Sequence, residues 1–276
     1  MPHQRIAKLL SSDLGDMEKS AAAKGRETVF CGVIPAADGD GPRFLLKGEG
    51  ETRFLRMNSN SYLGMSLNAE VRAAGEEAVR TYGAGPGAVR FISGTWAPHV
   101  ALERRLADFH GRDSAMIFSS AYAAMVGILP LLITPQTAVI SDELNHNCII
   151  NALRLARPGE KKVYRHLDLG ELEARLKEAA KNCCRAIIVT DGIFSMRGDH
   201  APLAGIMELA RRYDDPFAEH GLVVVDDSHG VGASGPTGRG CEEYTGCGAA
   251  DSLLATPGNA LGRHGGYVVA GRTLHA

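Results

Sequence analysis

Polar and titratable side chains follow five apolar segments of this sequence, at the points where those segments end. The endings read SSAY, SDELNH, TDGIFS, DDSH and TPGN. Taken singly, a serine or aspartate after a strand is most often a turn or a helix cap, and a lone histidine is most often structural. Five such endings at one edge of one sheet favour a cofactor site over these separate structural roles.

The segment VVVDDSHGVG, residues 223–232, places Asp226 and His229 after an apolar run that is typical of a central strand. An unpaired buried carboxylate is costly, so Asp226 requires a cationic partner. A protonated ring nitrogen of a cofactor would supply one, and His229 could then contact another polar atom of that ring. A solvated turn is a credible alternative only for Asp227.

The segment SSAYAAMVGILP turns from a strand into an apolar helix near Ala121. Free N–H groups and the helix dipole make such a junction a seat for phosphate, although many strand-to-helix junctions share this signal. Two glycine-rich segments, which start at Tyr82 and Gly232, lack the spacing of nucleotide-binding loops. They predict tight turns, or backbone that passes close to another group.

Strand-like and helix-like segments alternate through most of the chain. The candidate strands begin at Met116, Ala138, Lys162, Arg185, Leu222, Ser252 and Gly266. Most of them are uninterrupted apolar runs, which is typical of strands covered on both faces. The predicted fold class is therefore α/β, a three-layer α/β/α sandwich around a mainly parallel seven-stranded sheet. Ligands of such sheets bind at the carboxyl ends of the strands.

Residues 1–57 differ in pattern from the rest and contain the turn-rich stretch PAADGDGPR, so they predict an N-terminal arm or small subdomain. Residues 58–276 predict the large cofactor-binding domain. Within it, a helix is expected from Pro98, with three apolar side chains on one face, and another from Asp168, where Asp-x-x-Glu has the form of a capping box. The three apolar side chains are Leu102, Leu106 and Phe109.

Composition excludes several other classes of protein. A formal net charge of -2 with both signs interspersed gives no electrostatic reason to expect nucleic acid or an anionic membrane as partner. No apolar run reaches membrane-spanning length, and the N-terminus lacks the long apolar centre of a secretory signal, so a cytoplasmic protein is expected. The six cysteines form no CxxC pair, which argues against a metal site or a disulfide framework.

Seven motifs occur in the same order as in the α-oxoamine synthases, which this sequence resembles from about Asn58 to its end. They read NSNSYLGM, YGAGPGAVRFISGT, FSSAYAAM, SDELNHNCII, DGIFSMRGDHAPL, VDDSHGVGASGPTGRGCEEY and TPGNALGRHGGYV. These enzymes use pyridoxal 5'-phosphate (PLP) and have the fold-type I aminotransferase architecture. The SDELNHNCII block and the GRG-x-EEY ending are most similar to the glycine C-acetyltransferases, also called 2-amino-3-ketobutyrate CoA ligases.

The resemblance implies PLP as cofactor and a residue for each of its contacts. The implied contacts are the amides of Ala121 and Tyr122 and the side chain of Thr256 at the phosphate, His146 stacked on the ring, Asp226 at the ring nitrogen, His229 and Ser195 at the ring hydroxyl, and Asn60 at the substrate. It also implies condensation of glycine, or another small amino acid, with an acyl-CoA, acetyl-CoA being expected. A homodimer with a shared active site is implied too, in which the segment around Ser93, Gly94 and Thr95 serves the neighbouring subunit.

The sequence departs from the family pattern at Asn259, where the family has the lysine that forms a Schiff base with PLP and then moves protons at the substrate. An asparagine can do neither. We therefore expect weak, non-covalent PLP binding and no activity from this chain. Pro257, in the same turn, removes an N–H, and Ala121 stands where the family usually has glycine. Because the sequence stops at Ala276, we also expect the family's C-terminal small domain to be absent.

Three hypotheses follow from these departures. The chain could be an altered copy of a glycine C-acetyltransferase-type enzyme, which the number of intact cofactor residues favours. It could instead be a lysine-less, non-catalytic subunit that completes a partner's active site. A degraded fragment is the third hypothesis, which the closeness of Pro257 and Asn259 favours.

Overall fold

Residues 3–20, 27–37 and 39–274 are described by a computed structural model of the chain. The chain forms two units, Met1–Ser59 and Asn60–Ala276. In the first unit, helix α1 (His3–Lys19) precedes an antiparallel pair of strands, β1 (Phe30–Ile34) and β2 (Arg43–Leu46).

The second unit contains the remaining helices and strands. Its strands are β3 (Ser114–Phe118), β4 (Thr137–Asp142), β5 (Glu160–Tyr164), β6 (Arg185–Asp191), β7 (Gly221–Asp226), β8 (Ser252–Ala255) and β9 (Gly266–Ala270). Its α-helices are α2 (Ala69–Tyr82), α3 (Ala97–His110), α4 (Ala121–Ile128), α5 (Asn147–Leu155), α6 (Leu169–Ala179), α7 (Leu203–Arg212) and α8 (Cys241–Thr245). Short 3-10 turns occupy Met65–Leu67, Leu129–Leu132 and Arg272–Leu274, and Arg90–Gly94 is a π turn.

The seven strands of the second unit form one sheet in the order β3-β9-β8-β7-β6-β4-β5. Strands β5, β4, β6, β7 and β8 pair in parallel, whereas β9 is antiparallel to both β8 and β3. The predicted mainly parallel, seven-stranded sheet is therefore confirmed. Since the carboxyl ends of the five parallel strands share one edge, the polar residues that follow them are brought together there.

Both faces of the sheet are covered, which confirms the three-layer sandwich. All six residues of β4 are buried, and its apolar residues alternate between two clusters, with Ala138 and Ile140 in one and Val139 in the other. Leu172 of α6 and Ile206 of α7 belong to the cluster on one face, while Met125 of α4 and Ile149 of α5 belong to the cluster on the other. Each such fully buried aliphatic side chain contributes roughly 1.5–3 kcal/mol to stability.

Side-chain caps fix where the helices next to the sheet edge begin. Ser120 Oγ accepts a hydrogen bond from Ala123 N at 3.0 Å, which starts α4 immediately after the loop that follows β3. Asp168 caps α6 in the same way, with Glu171 N at 2.8 Å. The predicted reciprocal half of that capping box is wrong, because the Glu171 carboxylate accepts instead from Arg165 N at 2.8 Å.

Helix α3 begins as predicted near Pro98, but only part of its expected apolar face is covered. Leu106 is 7% exposed, whereas Leu102 is 44% exposed. In the part of the chain that the structure describes, no helix combines the length and hydropathy needed to cross a membrane.

Candidate functional site

A cavity of ≈ 210 Å³ lies at the carboxyl edge of the sheet. Every residue that the sequence predicts for cofactor or substrate contact lines it, although the role of each stays a prediction. These residues are Asn60, Ala121, Tyr122, His146, Ser195, Asp226, His229, Thr256 and Asn259. The sheet topology explains this convergence, since most of them follow β3, β4, β6, β7 or β8.

One end of the cavity is formed by the first turn of α4. Ala121 and Tyr122 line the cavity there, and the first N–H groups of a helix have no acceptor within the helix. Ala121 is not among the residues with positive φ, so the alanine in place of the family's glycine causes no backbone strain. A Cβ on Gly266 would lie 2.2 Å from Ala121 N, which shows how closely β9 approaches this helix end.

The turn after β8 lies beside the same helix end. Thr256 Oγ1 donates to Gly265 O at 2.8 Å and accepts from Gly258 N at 3.0 Å. The turn is therefore closed on itself despite Pro257, which contributes no N–H group. With the α4 N-terminus, this turn forms a polar pocket end that suits a phosphate.

Two buried carboxylates form another part of the cavity wall. Asp191 and Asp226 are paired in register at the ends of β6 and β7, and they are 5% and 6% exposed. Asp226 Oδ1 accepts hydrogen bonds from Ser228 N at 3.1 Å and Ser228 Oγ at 2.6 Å, which fixes its orientation. Burial, followed by the charge of Asp226, raises the pKa of Asp191 well above its usual range.

Two histidines complete this wall. The imidazole of His146 caps α5, because its Nδ1 accepts from Cys148 N at 3.2 Å. Nδ1 of His229 shares a hydrogen bond of 2.8 Å with the hydroxyl of Tyr62. Burial lowers the pKa of His229, so its neutral form is favoured at neutral pH.

The residues that line the cavity fit PLP at both of its ends. Those that the structure describes include Asp191 and Asp226 but no lysine or arginine. A buried carboxylate without a cationic side chain beside it suits a protonated ring nitrogen, and the α4 N-terminus suits a phosphate. The donor set therefore matches a group that carries a cationic ring nitrogen and a phosphate, as PLP does.

Sequence reasoning missed three residues that line the cavity, namely Cys148, Asp191 and Ser228. Asp191 ends the apolar run RAIIVTD, so its place at a strand end was a usable signal. The thiol of Cys148 lies 3.4 Å from Asp226 Oδ2 and 3.0 Å from His146 Nδ1. Only the register of β7 and the cap of α5 bring these groups together, and neither is visible in the local sequence.

Asn259 occupies the cavity wall where the resemblance implies the lysine. Its Nδ2 donates to Ser228 O at 2.8 Å, and no hydrogen bond to its Oδ1 occurs among the described residues. The side chain is therefore held by the residue that also holds Asp226. Among the described residues, no lysine lines this cavity to take the missing amine's place.

Asp227 is wholly buried, so the solvated turn considered for it is wrong. Its side chain is 0% exposed, and its Oδ2 accepts from Cys241 N at 2.7 Å. A Cβ on Gly192, Gly230 or Gly240 would lie 2.4, 2.0 or 1.9 Å from a carboxylate oxygen of Asp227. Burial raises the pKa of this carboxyl to about 7.

The glycine-rich segment that starts at Gly232 thus passes close to another group, as predicted. Gly240, with φ 94, brings the backbone against the Asp227 carboxylate, where any larger residue would clash. The segment from Tyr82 contains a similar close approach, because a Cβ on Gly94 would lie 1.9 Å from Ala88 O. Its π turn, Arg90–Gly94, is braced by paired hydrogen bonds from Arg90 to Glu103, at 2.9 and 3.0 Å.

Known proteins are similar to this chain along most of its length. The family model described as aminotransferase class I and II matches residues 52–274. The chain is 46% identical over 215 residues to human mitochondrial 2-amino-3-ketobutyrate coenzyme A ligase, which is 77% of this chain and 49% of that protein. It is 42% identical over 226 residues to 8-amino-7-oxononanoate synthase of Fervidobacterium nodosum, or 80% of this chain and 55% of that protein. The chain spans about half the length of these curated relatives.

Solved structures with the same fold cover nearly the whole chain. A Sphingomonas wittichii serine palmitoyltransferase matches with a TM-score of 0.82 and 26% identity, over 96% of this chain and 63% of that one. A high-resolution structure of SPT with PLP matches with a TM-score of 0.81 and 29% identity, over 95% of this chain and 62% of that one.

Proposed function

The chain belongs to the aminotransferase class I and II family, and from this premise we propose that its cavity binds PLP in an α-oxoamine synthase-type site. The predicted resemblance to the α-oxoamine synthases is confirmed by the relatives it matches. PLP, the predicted cofactor, is the cofactor of this family. The observation that carries the proposal is the buried Asp191 and Asp226 pair, which faces a cavity without a cationic side chain.

In this proposal, different residues bind the phosphate and the ring nitrogen of PLP. The N–H groups of Ala121 and Tyr122, with Thr256, bind the phosphate. Asp226, oriented by Ser228, accepts the ring N–H and keeps that nitrogen protonated. When bound, PLP supplies an electron sink for a carbanion at the Cα of an amino acid.

The other predicted contacts orient the ring between these ends. His146 stacks on it, and the neutral His229 and Ser195 hydrogen-bond its hydroxyl. Asn60, which also lines the cavity, contacts the amino-acid substrate. These roles are carried over from the motifs, and the placement of all four residues on one cavity supports them.

The reaction that we propose for this type of site is condensation of glycine, or another small amino acid, with an acyl-CoA. Acetyl-CoA is the proposed acyl donor. The support is the 46% identity to a protein named 2-amino-3-ketobutyrate coenzyme A ligase. The matched length is about half of that protein, so the assignment concerns the type of site and its cofactor first.

This chain itself is proposed to be inactive in that reaction. Asn259 cannot bond covalently to the cofactor or move a proton at the substrate Cα, and no lysine lines the cavity. Loss of general acid–base catalysis alone lowers rates by about 10²–10⁴. Cofactor binding is accordingly proposed to be non-covalent.

A homodimer with a shared active site is part of the proposal. In the π turn Arg90–Gly94, Phe91 is 89% exposed and Ile92 is 70% exposed, although Arg90 and Glu103 brace the turn. A braced turn that projects two large apolar side chains favours contact with a second copy. A cytoplasmic location, which the sequence favours, also stays part of the proposal.

A second candidate function is that of a lysine-less subunit that completes a partner's site. This function is favoured because the cavity keeps Asp191 and Asp226, while only the amine of the lysine is missing, at Asn259. Mixed dimers of this chain with its own Asn259→Lys variant would separate the candidates. A partner-completing role predicts that wild-type subunits raise the PLP occupancy of the variant subunits above that of the variant alone, while the inactive-copy hypothesis predicts no such increase.

Reduction with borohydride in the presence of PLP, followed by intact-mass measurement, tests the proposal directly. We expect PLP to bind the wild-type chain without a reducible covalent bond, and Asn259→Lys to give an adduct of one PLP at residue 259. Asn259→Lys combined with Asp226→Ala serves as the control for reaction at surface lysines. An adduct in the wild-type cavity, or no PLP binding at any concentration, would contradict the proposal.

A further inference from the structure

The proposed cofactor cavity is short of positive charge. Asp226 and Asp191 face it, burial raises the pKa of Asp191 and lowers that of His229, and its lining among the described residues includes no lysine or arginine. A bound phosphate would add negative charge at the α4 end. The ring nitrogen would balance the charge of Asp226, so a second cationic group on the ligand would offset the charge of its own phosphate, an advantage that grows with burial.

Asn259 presents a hydrogen-bond acceptor to that same space. Its Nδ2 is held by Ser228 O at 2.8 Å, and this contact orients the amide. Its Oδ1 has no hydrogen-bond partner among the described residues, and Asn259 lines the cavity. A ligand group that donates a hydrogen bond is matched by this oxygen, whereas a group that only accepts is not.

The aldehyde and amine forms of the cofactor differ at one group, the aldehyde or the amine. A lysine at position 259 would bond to PLP at this group. The aldehyde oxygen of PLP is an acceptor without charge. The amine of pyridoxamine 5'-phosphate is an ammonium at neutral pH, which donates hydrogen bonds and carries a positive charge. The hydrogen-bond donor complements Asn259 Oδ1, and the positive charge complements the negative charge of Asp226 and of the ligand phosphate.

We propose that this cavity selects the amine form of the cofactor, pyridoxamine 5'-phosphate, over the aldehyde form PLP. Asn259 Oδ1 accepts the ammonium N–H, and the ammonium supplies the positive charge that the cavity lacks. The selection rests on the proposed function, since it requires that the cavity hold this type of phosphate ester. It assigns to Asn259 a binding role in place of a lost catalytic one.

Equilibrium dialysis of the full chain with each form, at neutral pH, tests the selection. We expect pyridoxamine 5'-phosphate to bind roughly tenfold more tightly or better, the size of one charge-assisted hydrogen bond. Asn259→Ala should reduce the ratio of the two affinities toward one. Asn259→Asp, which keeps the acceptor and adds negative charge, should increase it.

The two ways to fail are distinct. Equal affinities in the wild-type chain, or a ratio unchanged in Asn259→Ala, would overturn the selection and leave the proposed function standing. Absence of binding by both forms would overturn the proposed function itself. Thermal melting confirms that each variant is folded, and the wild-type ratio alone decides the question if a variant is not.

Discussion

The two consecutive aspartates at the end of β7 have opposite surroundings. Asp226 faces the cavity, and its carboxylate is held by Ser228 with room left for a ligand. Asp227 is 0% exposed and lies against three glycines, where an added Cβ would clash with its carboxylate oxygens. Asp226 can therefore contact a ligand in the cavity, whereas Asp227 is enclosed by the chain itself.

The two aspartates therefore differ in role: Asp226 is placed to bind a ligand, and Asp227 is placed to hold the backbone. Gly192 follows Asp191, and Gly230 follows His229, so two of the glycines that enclose Asp227 are neighbours of cavity residues. Asp227 therefore fixes the backbone that carries the cavity wall, although it contacts no ligand space itself. Substitutions at or around Asp227 should mainly lower the free energy of unfolding, and substitutions at or around Asp226 should mainly weaken ligand binding.

Gly240→Ala is the largest perturbation of the enclosed side. The added Cβ would lie 1.9 Å from Asp227 Oδ2, and the residue has φ 94. Strain and overpacking together should lower the free energy of unfolding by roughly 3 kcal/mol. Urea unfolding with a fluorescence or circular-dichroism readout measures this loss.

Gly248→Ala is the matched control for backbone strain. Its φ is 80, but nothing lies within 4 Å of the added Cβ. It should cost only about 1 kcal/mol. Equal losses in the two variants would show that the Asp227 enclosure adds nothing, and the contrast between the two aspartates would then be lost.

Asp227→Asn should change how stability depends on pH. Burial raises the folded-state pKa of Asp227 to about 7 from 3.8, so between these values the folded chain holds a proton that the unfolded chain has released. Stability therefore falls as pH rises through this window, by up to about 1.4 kcal/mol per pH unit for one proton. The asparagine cannot ionise, so urea midpoints measured from pH 4 to 7 should decline less steeply in the variant.

The control for this prediction is the corresponding change on the cavity side. Asp226→Asn should weaken binding of PLP and of pyridoxamine 5'-phosphate, whereas Asp227→Asn should leave both affinities within about threefold. Asp191, whose pKa is also raised, accounts for the slope that remains in Asp227→Asn. A variant slope identical to that of the wild type would mean that Asp227 ionises normally in the fold.

The same pair shows how far sequence can predict this molecule. The apolar run before Asp226 predicted a central buried strand, and the strand's carboxyl end predicted a ligand there, because both depend on local pattern and general topology. That Asp226 rather than Asp227 lines the cavity also followed from the motif. The burial of Asp227 did not, since it depends not only on the nearby Gly230 but also on Gly192 and Gly240, which are distant in sequence.

Residues missed at the cavity have the same explanation. Cys148 and Ser228 become neighbours of Asp226 only through the cap of α5 and the turn after β7. Leu102 was expected on the covered face of α3, yet it is 44% exposed, because periodicity gives the face of a helix and not what packs on it.

Tyr62→Phe is the smallest perturbation, and it tests the cavity side alone. The hydroxyl of Tyr62 shares a hydrogen bond of 2.8 Å with His229 Nδ1, and the tyrosine is 42% exposed. Its loss should free His229 to reorient and weaken binding of pyridoxamine 5'-phosphate about threefold to fivefold, with little change in the unfolding midpoint. Tyr244→Phe is the matched control, because Tyr244 is 59% exposed and stacks on His200 rather than on a cavity histidine. Two results would contradict this prediction: equal ligand affinities of the two variants, or a loss of stability in Tyr62→Phe without a change in affinity. Tyr62 would then have a structural role only, and ligand binding would depend on the residues that line the cavity.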